Sequence, residues 1–129
     1  MKKEAIICLV TIILIFAGHY LLQNYSKYAI GETTTELGEL NEIMSQENID
    51  SEDVKKKINE IHEKWDKKYN TMAFYIEHNE LEKVETELTG LRSSIENEEY
   101  SDAQNELART QYLLKHIEEK NKLSWKNIF

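Results

Sequence analysis

Residues Ala5 to Leu22 read AIICLVTIILIFAGHYLL, 18 consecutive positions without a charge, directly behind Lys2 and Lys3. No other feature restricts the chain so strongly. In hydrocarbon every backbone N–H and C=O must be satisfied within the segment, and a lone segment can do that only as a helix. At 1.5 Å per residue the run spans about 27 Å, close to the ~30 Å core of a bilayer. Its lipid-facing set is Ala5, Ile6, Ile7, Cys8, Leu9, Val10, Ile12, Ile13, Leu14, Ile15, Phe16, Leu21 and Leu22. Tyr20, Tyr25 and Tyr28 fall where the far interface is expected, offering an apolar ring to lipid and a hydroxyl to water, and His19 joins them.

Secretory cleavage needs a small-x-small site, but Ile15 precedes Ala17 and Phe16 precedes Gly18 at the critical spacing. An uncleaved signal-anchor is therefore expected. Lys2 and Lys3 hold the amino terminus on the cytoplasmic side, which sends the remainder outside the cytoplasmic membrane as a single-pass protein. Cys8, the one cysteine, lies within the run, so no disulfide can staple the fold and packing alone must hold it.

The organisation expected is a cytoplasmic stub and anchor over 1–22, a juxtamembrane helix and linker over 23–49, and an acidic helical domain over 50–129. About 107 residues remain beyond the anchor, the usual size of one domain. Of the chain's net charge of −8, Lys2, Lys3 and Glu4 contribute +1, which leaves −9 on that remainder. Such a field repels phosphate backbones, so nucleic-acid binding is not expected.

Ile30, Thr33, Leu37, Leu40 and Met44 step by three and four, a helical stripe that can run on from the membrane; Gly31 and Gly38 weaken it enough that its order is expected to need a partner. Asp50 is placed as an N-cap, with Ile49 and Val54 as a hydrophobic staple. The next stripe is Val54, Ile58, Ile61, Trp65, Tyr69, Met72 and Ile76, the most sustained in the chain. Asn79 with Glu82 predicts a cap near His78, ahead of Leu81, Val84, Leu88, Leu91 and Ile95. A boundary at Asn97 to Tyr100 precedes a second capping box, Ser101 with Gln104, and the stripe Ala103, Leu107, Thr110, Leu114 and Ile117. That helix is expected to fray near Lys122 to Ser124. Trp125, Ile128 and Phe129 then form an apolar tail that either tucks into the bundle or docks on a partner.

Strand signals are nearly absent, and proline is absent. The fold class expected is all-α: a transmembrane helix followed by an antiparallel three- or four-helix bundle or an extended helical hairpin, with a parallel coiled-coil oligomer as the alternative.

The histidines, His19, His62, His78 and His116, occur in neither HExxH nor Glu-x-x-His, and phosphate-binding glycine loops, GxSxG and CxxC are missing. No catalytic residue, metal ligand or cofactor is expected, and the histidines read as partly buried, hydrogen-bonded side chains. Trp65 reads as core.

One Trp in a long helix, aromatic residues running into His78-Asn79-Glu80-Leu81, then Tyr100-Ser101-Asp102-Ala103 and a closing Asn127-Ile128-Phe129 together resemble the bacterial family called domain of unknown function 4363. The resemblance implies membrane attachment and a helical fold, and brings no activity, substrate or ligand. The function expected is a non-catalytic, extracytoplasmic interaction or assembly subunit whose partner is another envelope protein or a second copy. The alternative is a ligand- or cation-binding sensor domain that signals through a partner.

Overall fold

The computed structural model describes the backbone of residues 1–128 and the side chains of residues 1–122. Within them the chain forms four helices and no strand: α1 (Lys2–Met44), α2 (Ser51–Met72), α3 (His78–Glu96) and α4 (Tyr100–Ile128). α1 is 43 residues long, about 65 Å at helical rise. Its residues 2–17 are exposed all round, while Ala29, Ile30, Leu37, Leu40 and Met44 are buried. One helix therefore serves as both the apolar segment and the first member of the bundle. The stripe over residues 30–44, expected to need a partner, finds it within the chain, against α2 and α4. The two glycines are accommodated in the helix with negative φ.

The helices run up, down, up and down. α1 lies beside α2 and α4, α3 lies beside α2 and α4, and diagonal pairs do not approach. This is the square cross-section of an antiparallel four-helix bundle, as short connections between amphipathic helices dictate. The core contains Trp65, Leu81, Leu88, Leu91 and Leu107, with Val54, Ile58 and Ile61 from the long α2 stripe. Where α3 and α4 meet, Gly90 lets Glu106 approach: a Cβ at Gly90 would lie 3.4 Å from the Glu106 carboxylate. Two buried threonines are satisfied within their own helices, Thr33 donating to the Ala29 carbonyl at 2.9 Å and Thr110 to that of Glu106 at 2.8 Å.

The turns end the helices by different means. The Asp50 carboxylate accepts from the backbone N–H groups of Glu52 and Asp53, as its N-cap role requires. α3 does not use the predicted Asn79–Glu82 cap. It starts at His78 with Glu77 in the cap position and no side-chain cap bond, because the chain has already turned at Ala73–Ile76 and Asn79 lies inside the first turn. The Ser101–Gln104 box does not form either: α4 begins at Tyr100, and Gln104 Nε2 donates instead to Ser45 Oγ across the bundle end at 3.3 Å. α3 closes with Glu99 N–H on the Ser94 carbonyl and Glu98 N–H on that of Ile95, a Schellman arrangement that puts Glu98 at φ 58°. The α4 backbone stays helical through Lys122–Ser124, where fraying was expected, and on to Ile128.

Candidate functional site

Along the α1–α2 face, lysines of α2 meet glutamates of α1 in antiparallel register. Lys57 Nζ donates to Glu39 Oε2 at 2.7 Å, Lys64 to Glu36 Oε1 at 3.1 Å and Lys68 to Glu32 Oε2 at 2.6 Å. The Lys68 hydrogen bond holds the Glu32 carboxyl below the ordinary glutamate value, and the Lys57 hydrogen bond does the same for Glu39. The Glu36 carboxylate in turn raises Lys64. Glu32, Glu36, Glu39, Lys57 and Lys64 floor an open trough of about 870 Å3 that Tyr28, Gly31 and Thr35 border along α1. Tyr28 is 67% exposed, and Lys68 Nζ lies 5.9 Å from its ring centroid.

The α2–α3 face carries His62 and His78. His62, Asp66 and Tyr69 follow one another on α2 at steps of four and three, and His78, Glu82 and Glu85 do so on α3. The two rows face each other. His62, buried between the helices, meets Glu85 Oε1 through Nε2 at 2.7 Å, with Asp66 Oδ1 at 3.8 Å. The three donor atoms lie within 4.8 Å of one another, so an imidazole and two carboxylates could share one divalent cation; the 2.7 Å contact is also a complete hydrogen bond in its own right. Nearer the turn, Tyr69 Oη and His78 Nδ1 are 3.2 Å apart, and His78 Nε2 lies 2.8 Å from Glu82 Oε1. Burial, then the charges of Glu82 and Glu85, raise the Tyr69 hydroxyl above its ordinary value, which keeps its proton available to His78. The arrangement can hold or pass a proton between imidazole and carboxylate. His116 is exposed on α4 and stands apart from both groups.

Neither HExxH nor Glu-x-x-His describes this seam, whose carboxylates lie four residues beyond each histidine or on the facing helix. The available signal was the four-residue step from His62 to Asp66 and from His78 to Glu82, which places each pair on one helix face. The link across to Glu85 has no sequence signature.

The other expected residues are placed as follows. Ile6, Ile7, Leu9, Val10, Ile12, Ile13, Leu14, Ile15, Phe16 and Leu21 stand exposed on α1 with Ala5 and Cys8 among them, and Leu22 is half-buried at the bundle's edge. α1 is the one helix among the described residues long and apolar enough to cross a membrane. Trp125 and Ile128 lie on the α4 backbone with side chains outside the described residues, and Phe129 lies outside them altogether.

The model of the family described as "Domain of unknown function (DUF4363)" matches residues 20–128, the bundle with the end of the apolar run. No curated protein and no solved structure matches the chain.

Proposed function

The chain belongs to the DUF4363 family, and from that premise we propose that it is a non-catalytic interaction or assembly subunit held at the outer face of the cytoplasmic membrane. The observation that carries this reading is the continuity of α1: the apolar segment and the first bundle helix are one helix from Lys2 to Met44. A bundle joined in that way keeps a set height and tilt over the bilayer, which suits presentation of one face to a neighbouring protein and does not suit a mobile domain on a flexible tether. The outward orientation follows from Lys2 and Lys3. The partner is another envelope protein or a second copy of the chain, and the trough beside Tyr28 is the face offered.

The test is photo-crosslinking in intact cells, with a photoreactive amino acid replacing Tyr28 in the trough or Tyr112, which is 71% exposed on α4. A discrete product from position 28 that is missing from position 112 supports the reading. No discrete product from either position overturns it.

A second reading, an extracytoplasmic cation-binding sensor, is favoured by His62, Asp66 and Glu85. A bundle that takes a divalent ion there gains thermal stability by RT ln(1 + [L]/Kd), and His62→Gln abolishes the gain. A flat response across zinc, manganese and calcium removes this reading.

A further inference from the structure

The three connections between helices differ in chemistry according to the end of the bundle at which they lie. Ser45–Asp50 (SQENID) and Asn97–Glu99 (NEE), polar and acidic, lie at the end away from the apolar segment, where α1 hands over to α2 and α3 to α4. The α2–α3 connection reads Ala73-Phe74-Tyr75-Ile76-Glu77, four apolar or aromatic residues and then one carboxylate, and lies at the other end. Its depth is set by a ring contact: Tyr75 packs edge-on against His19 of α1, with centroids 5.2 Å apart. His19 is three residues before the end of the apolar run, about 4.5 Å along the helix axis. The turn is therefore level with the last part of the segment that crosses the membrane, where acyl chains give way to headgroups. Ile76 is buried and Tyr75 half-buried, while Ala73 is exposed and Phe74 is 82% exposed, the largest exposure of any large hydrophobic side chain among the described residues apart from Met1.

We infer that the α2–α3 turn is a second membrane contact, with Phe74 inserted in the acyl–headgroup boundary beside α1, so that the bundle is held to the bilayer at two points instead of one. This rests on the reading of residues 5–22 as membrane-crossing. It does not depend on which side of the membrane carries the bundle. A single exposed phenylalanine on a soluble surface needs no explanation; one at the tip of an apolar turn, level with the end of a membrane helix, lies where aromatic side chains gain most from an interface. Lipid is the occupant that fits. Continuity with α1 brings the bilayer to the turn without any further component, and the turn's one charged residue, Glu77, is neutralised by Lys120 at 3.2 Å. The contact is apolar, and neutral phosphatidylcholine is sufficient to form it.

The test is a depth measurement on the full chain in phosphatidylcholine vesicles. With Cys8→Ala as background, a nitroxide is placed at Leu14→Cys in the apolar run, at Ala73→Cys in the turn, or at Gln46→Cys in the opposite turn. Each label's collision rate with lipid-soluble oxygen is compared with that for a water-soluble nickel chelate. The oxygen-to-nickel ratio at position 73 is expected to exceed that at 46 several-fold and to fall toward the value at 46 when Phe74→Ser is added. A water-like ratio at 73 with a lipid-like ratio at 14 overturns the second contact and leaves the anchor standing, whatever else covers the turn. An unchanged ratio on adding Phe74→Ser overturns the role given to Phe74. A water-like ratio at 14 overturns the membrane-crossing reading and this inference with it.

Discussion

Replacing Trp65 tests the core directly, because two substitutions there separate packing from polarity. Trp65 is fully buried, and its Nε1 has no hydrogen-bond partner among the described residues. An indole buries roughly 200 Å2, which at about 25 cal/mol per Å2 is an upper bound of ~5 kcal/mol. Measured truncations of large aromatic residues to alanine cost about 3–5 kcal/mol. Against this, removing the indole also removes a buried N–H left without a partner, a relief of about 1–3 kcal/mol. Trp65→Ala should therefore fall near ~3 kcal/mol, toward the lower end of that range. Trp65→Phe loses only part of the ring area, about 2 kcal/mol, and gains the same relief, so it should lie within ~1 kcal/mol of the parent. The assay is urea unfolding of the full chain in non-ionic detergent, followed by far-ultraviolet circular dichroism with the m-value held common between variants. On a thermal scan the alanine variant should melt roughly 12–24 °C lower, at ~4–8 °C per kcal/mol for a domain of this size. An alanine cost under ~1 kcal/mol would refute the core assignment. A phenylalanine cost equal to that of alanine would refute the reasoning about Nε1.

Other expectations follow from single residues. Glu98 occupies the left-handed region at φ 58°, where a side chain costs about 1 kcal/mol or more, so Glu98→Gly should raise the unfolding free energy by about that amount in the same titration. A Cβ at Gly38 would meet nothing within 4 Å, and Gly38→Ala should stabilise the bundle by up to ~1 kcal/mol, with a lowered midpoint counting against the helix-interior geometry. Gly31 is equally open; Gly31→Ala should stabilise the isolated chain yet weaken crosslinking from position 28 if a partner's backbone lies in the trough. Acid should also destabilise the fold. The Glu32 and Glu39 carboxyls are held below their ordinary value of 4.5, so their contribution is present above that pH and is lost as pH falls through the lower folded values. Lys68→Gln should flatten the decline below about pH 4.5 relative to the parent, and an unchanged acid limb in chemical-denaturation curves would show that the Glu32 pair contributes nothing.

Much of the bundle was legible because helical periodicity is a local property. Val54 through Met72, Leu81 through Ile95 and Ala103 through Ile117 repeat at steps of three and four, and each stripe is buried except at the half-buried Tyr69. The Asp50 cap was legible for the same reason, since its carboxylate reaches only two and three residues along the chain. The other two caps were misread. Asn79 and Ser101 carry the right side chains, but where a helix starts depends on where the preceding turn delivers the chain, and Ser45 competes for the Gln104 amide from 59 positions away. The seam joining His62 to Glu85 is not legible in the sequence because the two residues are 23 apart, and only the packing of α2 on α3 sets their register.

By itself the sequence determined that residues 5–22 form an apolar helix and that amphipathic helices in an acidic stretch of chain follow it. Each of those properties is written in the composition and spacing of a few neighbouring residues. Tertiary structure decided that α1 continues into the core without a break, that His62 meets Glu85 and His78 meets Tyr69 across α2 and α3, and that the α2–α3 turn lies level with the membrane segment while the other two turns lie far from it. Those outcomes depend on the relative lengths and register of packed helices. α2 has 22 residues, about 33 Å, and that length returns the chain from Ser51 to the level of His19, so that Tyr75 and Phe74 reach the end of the apolar run.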